Sequence, residues 1–100
     1  METVDPSGAS AERRIVVTGR VQGVGYRWFA REVARMLGVV GWVRNMPDGT
    51  VVLEIMAPES IVDEFTAELR VGPPGAAVAD VLVRERTDHS PLPDRFTVVP

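Results

Sequence analysis

The sequence predicts an α+β sandwich with elements in the order β-α-β-β-α-β, and three observations carry that prediction. Residues 26–37 and 58–70 each repeat apolar side chains three and four positions apart, the spacing that lines one face of a helix. Residues 13–18, 39–45, 50–57 and 77–86 are rich in β-branched residues or alternate apolar with polar ones, the period of a half-buried strand. Between the middle two strands stands Met46-Pro47-Asp48-Gly49, whose Pro and Asp-Gly chemistry closes an antiparallel hairpin. This order is the ferredoxin-like, split-βαβ arrangement, an antiparallel sheet of four to five strands with two helices on one face. That fold hosts RNA-recognition modules, small-molecule sensors and enzymes, so it leaves the function open.

Taken in order, residues 1–12 mix Pro6, Ser7, Gly8 and Ser10 with acids and show no periodicity. They read as a disordered tail ahead of one domain over residues 13–100. The first strand alternates around Ile15 and Val17 and runs into a glycine-rich loop. In the following helix Tyr26, Phe29, Ala30, Val33, Ala34 and Leu37 form one stripe, with Arg31, Glu32 and Arg35 opposite and Gly38 as C-cap. Trp28 breaks this pattern, lying about 160° from Tyr26 on a 3.6-residue period. Either it marks a second contact surface, or the stems of Arg31 and Arg35 cover it. The second helix opens with Pro58 and Glu59 and stripes Ile61, Val62, Phe65 and Leu69. Gly72-Pro73-Pro74-Gly75 breaks the chain before a strand that should turn Ala79, Val81 and Val83 inward. A polar loop with an exposed His89 then leads to a short last strand over residues 96–99.

Composition narrows the chemistry. At 100 residues and 45% apolar content there is room for one core, which at this size buries roughly 65% of the surface of the unfolded chain. The chain has no cysteine and one histidine, which excludes disulfides, thiol catalysis, cysteine-based zinc sites and a histidine pair. All 11 basic residues are arginine, which excludes a Schiff-base lysine and a P-loop lysine. No run approaches the roughly 20 apolar residues of a membrane span, and no secretory signal is apparent, so a cytoplasmic protein is expected. Charge is divided unevenly: residues 13–45 hold seven Arg and one acid, while residues 46–100 hold four Arg and ten acids. A local positive field of that kind attracts a small anion, while the acidic remainder argues against a general polyanion binder. The bland explanation is two halves that pair with each other.

The basic part contains Thr18-Gly19-Arg20-Val21-Gln22-Gly23-Val24-Gly25-Tyr26-Arg27, a strand end, a glycine-rich loop and a helix start. Glycines allow positive φ and close backbone approach, so successive N–H groups point inward and make an anion cradle. Arg27 adds a planar fork of donors suited to phosphate oxygens. The loop is neither a P-loop, since no Gly-Lys-Ser/Thr follows, nor a Gly-x-Gly-x-x-Gly fingerprint, since Trp28 occupies the third glycine position. On these residues alone, a strand-to-helix turn with Arg27 in a surface ion pair explains the pattern equally well. Asn45 shares a strand face with Val39, Gly41 and Val43, an odd place for an amide unless it serves the adjacent turn.

Gly19-Arg-Val-Gln-Gly-Val-Gly-Tyr-Arg27, then Gly41-Trp-Val-Arg-Asn45 with Asp48-Gly49, then Gly72-Pro-Pro-Gly75 and a closing Phe96 strand, resemble the acylphosphatase family over about residues 13–99. Members hydrolyse the mixed anhydride of a carboxylic acid and phosphate without a metal or cofactor. The resemblance implies that Arg27 and Asn45 are the catalytic pair, and that the backbone of Gln22, Gly23, Val24, Gly25, Tyr26 and Arg27 binds phosphate. It implies a monomer acting on small acyl phosphates, with neither nucleic acid nor membrane as partner. The acidic tail and the Val98-Val99-Pro100 ending depart from the family pattern without touching its signature positions. Two other functions stay in play: a non-catalytic module binding anions or acyl phosphates for regulation, and single-stranded RNA binding on the open sheet face. Phosphate release discriminates the first. The second needs exposed aromatics on the central strands, where Trp42 is the one candidate.

Overall fold

The computed structural model describes residues 10–100. Five strands and two helices follow one another as β1 (Ser10–Arg20), α1 (Tyr26–Leu37), β2 (Val40–Asn45), β3 (Val51–Pro58), α2 (Glu59–Val71), β4 (Ala77–Glu85) and β5 (Thr97–Val99). The sheet order is β4-β1-β3-β2-β5. Most of the residues expected to form the tail lie outside the described residues. Ser10, Ala11 and Glu12, however, extend β1, pairing with Pro58, Ala57 and Met56 of β3. Backbone pairing at a sheet end needs no apolar side chains, so the polar composition concealed it.

Four of the strands form the expected antiparallel array, while β5 pairs parallel to β2, with Val43 opposite Val98. The chain dictates this. β4 ends at the end of the sheet where β2 begins, so a segment crossing from there to the β2 edge enters alongside β2 and runs the same way. The β4 expectation needs correcting: Val81 is buried, but Ala79 and Val83 are exposed. Thr18 pairs with Asp80 and Gly19 with Val78, so Ala79 is the extra residue of a β-bulge. A bulge shifts the alternation by one, and Val78 packs against the core in place of Ala79. Val83 lies on a sheet edge, with a strand neighbour on one side only.

The core fills one face of the sheet. Ile15, Val17, Val43, Leu53 and Ile55 meet Ala30 and Ala34 of α1 and Val62, Phe65 and Leu69 of α2. Phe96, just before β5, packs edge-on to Phe65 at 6.1 Å between ring centroids. On the other face Glu54 of β3 is 3% exposed and accepts hydrogen bonds from Arg86 Nε and Arg14 Nη1, both at 2.6 Å. Arg86 also donates to Glu12 Oε1 at 2.7 Å and to the Ser90 carbonyl at 2.6 Å, holding the segment after β4 near the middle of the sheet. Burial by itself would lower the Arg86 pKa. The hydrogen bonds and charges of Glu54 and Glu12 outweigh it, and the pKa ends above its ordinary value. An ion cluster therefore occupies the centre of the open face, where RNA recognition would call for stacking surfaces.

Candidate functional site

The β1–α1 loop takes its shape from its glycines. Gly23 and Gly25 hold φ of 75° and 77°, and nothing lies within 4 Å of the position a Cβ would occupy on either. They are required for the left-handed backbone and not for lack of room, and the space beside them is open. Gly25 is the N-cap of α1, and the first helical bond runs from Phe29 N to Gly25 O at 3.0 Å. The N–H groups of Tyr26, Arg27 and Trp28 thus precede any intrahelical acceptor, no side chain caps them, and no acid stands in the first turn. That helix end is electropositive.

Tyr26 fixes this turn in place. Its ring is buried in the core and its hydroxyl donates to the Leu69 carbonyl of α2 at 2.7 Å. Burial pushes the phenol above its usual range, so it acts as a donor and not as an acid. Tyr26→Phe leaves that carbonyl without its donor. The expected loss is about 1–2 kcal/mol, seen in thermal unfolding as a Tm lower by about 5–10 °C.

A cavity of about 300 Å³ opens beside the loop, and Gly23, Gly25, Tyr26, Arg27 and Asn45 all line it. Arg27 donates from Nη1 to the Val99 carbonyl at 3.0 Å, and among the described residues no carboxylate pairs with it. The surface ion pair considered for Arg27 is therefore not the arrangement found. Asn45 Oδ1 is buried with no hydrogen-bond partner among the described residues. The turn after it is built by others: Asp48 Oδ1 accepts from Thr50 N at 3.0 Å and Thr50 Oγ1 at 2.7 Å, and these bonds lower the Asp48 pKa. Turn chemistry does not account for Asn45.

Two of the residues singled out in the loop do not line the cavity with their side chains. Gln22 Nε2 donates to the carbonyls of Met46 at 2.8 Å and Thr50 at 2.9 Å, tying the loop to the β2–β3 hairpin that carries Asn45. Val24 packs against the core. Conversely, the cavity includes Val21, Arg31 and Val98, none of them anticipated, and Trp28, which the sequence marked only as out of phase with its helix. Trp28 is 59% exposed, with the Arg31 guanidinium 3.8 Å from its ring centroid, so the guanidinium stacks on it without hiding it. The C-terminal strand also touches the site, through Val98 in the wall and the Val99 carbonyl on Arg27. Arg35 donates to the Phe96 carbonyl at 3.2 Å. Arginines of α1 thus form a seat for the chain end.

Among the described residues no carboxylate and no imidazole lines the cavity. His89 lies at the opposite end of the sheet, beside Arg86 and Ser90. Among the described residues no group of three or more His, Cys, Asp or Glu side chains is placed to hold a metal ion, and no helix is long and apolar enough to cross a membrane.

Comparison with known proteins adds four findings. The sequence matches the acylphosphatase family over residues 13–98. It is 46% identical over 71 residues to an acylphosphatase of Archaeoglobus fulgidus, covering 71% of this chain and 80% of that one. The fold superposes on the crystal structure of an acylphosphatase from Bacillus subtilis with TM-score 0.82 and 36% identity, covering 89% and 98% of the two chains. It also superposes on full-length HypF in its phosphate- and nucleotide-bound form with TM-score 0.81 and 27% identity, covering 92% of this chain and 12% of that one.

Proposed function

The chain belongs to the acylphosphatase family of acid-anhydride hydrolases, and we propose that it cleaves acyl phosphates to carboxylate and inorganic phosphate at the β1–α1 cavity, with Arg27 and Asn45 as its catalytic residues. The observation that carries this reading is that Asn45, whose buried Oδ1 has no hydrogen-bond partner among the described residues, lines the same cavity as Arg27. Few native amide oxygens are left so, and a reacting water would supply the missing partner. In the proposed complex the N–H groups from Gln22 to Arg27 and the Arg27 fork hold the phosphate oxygens. Asn45 Oδ1 accepts a hydrogen bond from a water and aims its oxygen at phosphorus, opposite the acyl oxygen.

Water attacks phosphorus, the P–O bond to the acyl group breaks, and the carboxylate departs with the bonding electrons. It leaves unprotonated, so no general acid is required. A carboxamide is no base at neutral pH, and a phosphate oxygen of the substrate accepts the proton the water gives up. The site then contributes position and charge stabilisation, which is most of what phosphoryl transfer needs. Phosphate release from benzoyl phosphate tests the reading directly. A second reading, a non-catalytic binding module, draws on the occurrence of the same fold as 12% of the HypF chain. Phosphate binding without turnover of benzoyl phosphate would select it.

The roles assigned here set the pH and metal dependence. A guanidinium stays charged and a carboxamide does not titrate between about pH 5 and 8, the range in which a histidine base would show itself near 6.5. We expect kcat to be nearly flat across that window, to survive chelators and to be unchanged in His89→Ala. A limb from the second ionisation of the substrate phosphate is separable, because it moves when an acyl phosphate of different phosphate pKa is used. A limb that stays fixed and vanishes in His89→Ala would refute proton transfer to the substrate.

A further inference from the structure

We infer that Arg31, stacked on Trp28, forms a second anion subsite in this cavity, selecting acyl phosphates whose acyl chain ends in a carboxylate or another anionic group. This rests on the proposed placement of the reacting phosphate at the loop and Arg27. Arg31 follows Arg27 by four residues on α1, so the two side chains project as neighbours from one helix face into one cavity. Arg31 does not resemble a solvated surface arginine. Its guanidinium lies 3.8 Å from the Trp28 ring centroid, and its Nε is buried with no partner among the described residues. Its one ion pair is a 3.3 Å contact to the adjacent Glu32, whose side chain is 52% exposed, an arrangement that holds an arginine only weakly.

Stacking on an indole fixes the plane of a guanidinium and leaves its N–H edge available to an acceptor in that plane. Beside the two arginines the cavity wall includes Val21, Val98 and Trp28, apolar surfaces that suit a short hydrocarbon chain. Among the described residues no carboxylate lines the cavity, and the only one paired with either arginine is the exposed Glu32. A phosphate at one arginine, a short chain along the valines and a terminal anion at the other is the ligand this arrangement fits.

The test compares ligands that differ only in the distal group. By calorimetry, the wild type should bind 3-phosphonopropionate ~10-fold more tightly than propylphosphonate, the effect of one charge-assisted contact, and Arg31→Gln should abolish that preference. Succinyl phosphate should likewise exceed butyryl phosphate in kcat/KM by ~10-fold in the wild type, with the ratio falling towards one in Arg31→Gln. Equal binding of the two phosphonates by the wild type overturns the subsite without need of any variant. Equal weakening of both by Arg31→Gln makes Arg31 a ligand of the phosphate itself and also overturns it. Turnover of benzoyl phosphate with no such preference sinks the subsite and leaves the hydrolase reading standing. A preference in binding without turnover of any acyl phosphate supports the subsite and removes the hydrolase.

Discussion

Arg27→Lys will lower kcat/KM for benzoyl phosphate by ~10³-fold, close to the loss in Arg27→Ala, and both variants will lose competitive inhibition by inorganic phosphate. The magnitude is the lower end of what an arginine contributes to phosphoryl transfer when it meets the transition-state charge. Lysine keeps the charge and still fails, for a reason the geometry supplies. One arm of the Arg27 fork is spent on the Val99 carbonyl at 3.0 Å, which fixes the plane of the group and aims the remaining donors. An ammonium carries three donors on a flexible stem and has no plane to fix. Near-wild-type turnover in Arg27→Lys would show that charge alone suffices, and planar recognition would be the wrong role for this residue.

The fold was legible because its signals are local. The stripe of Tyr26, Ala30 and Ala34, the Asp48-Gly49 turn and the alternation of Val51, Leu53 and Ile55 are set within a few residues of chain, and each became the element expected. What was not legible depends on partners far away in sequence. The parallel pairing of β5 follows from which end of the sheet β4 leaves the chain at. The bulge at Ala79 exists only in register against Thr18 and Gly19. Ser10 to Glu12 form strand because the last residues of β3 lie beside them.

The candidate site divides in the same way. Gly23, Gly25, Tyr26 and Arg27 fall within one short stretch of chain, and Asn45 stood out on an otherwise apolar strand face where turn chemistry was the plainer explanation; the structure brings all five to one cavity. Arg31 and Val98 were not legible, since a helix flank reads as solvated until the strand that covers it is known. Trp28 gave the one usable signal, an aromatic out of phase with the apolar stripe of its helix. Gln22 was singled out for its backbone, and its side chain proves to be the brace between loop and hairpin. That brace makes the distance between Arg27 and Asn45 a property of tertiary structure rather than of either motif.

Asn45→Ala will lower kcat by ~10²-fold or more while leaving the inhibition constant of inorganic phosphate nearly unchanged. The separation follows from the role proposed for the amide oxygen. Oδ1 is buried and unpartnered among the described residues, on a residue that lines the cavity, and it is an acceptor, which suits a water and not a phosphate oxygen, itself an acceptor. Truncation therefore removes the group that orients the nucleophile and spares the donors proposed to hold the anion. Asn45→Asp sharpens the point. It keeps an acceptor at that position but sets a negative charge beside the anion, so phosphate inhibition should weaken together with kcat, unlike in the alanine variant. The measurement is phosphate release with each variant, with and without added inorganic phosphate. Should Asn45→Ala raise the phosphate inhibition constant in proportion to its loss of kcat, Asn45 would belong to the anion site through its Nδ2, and the water would need another holder.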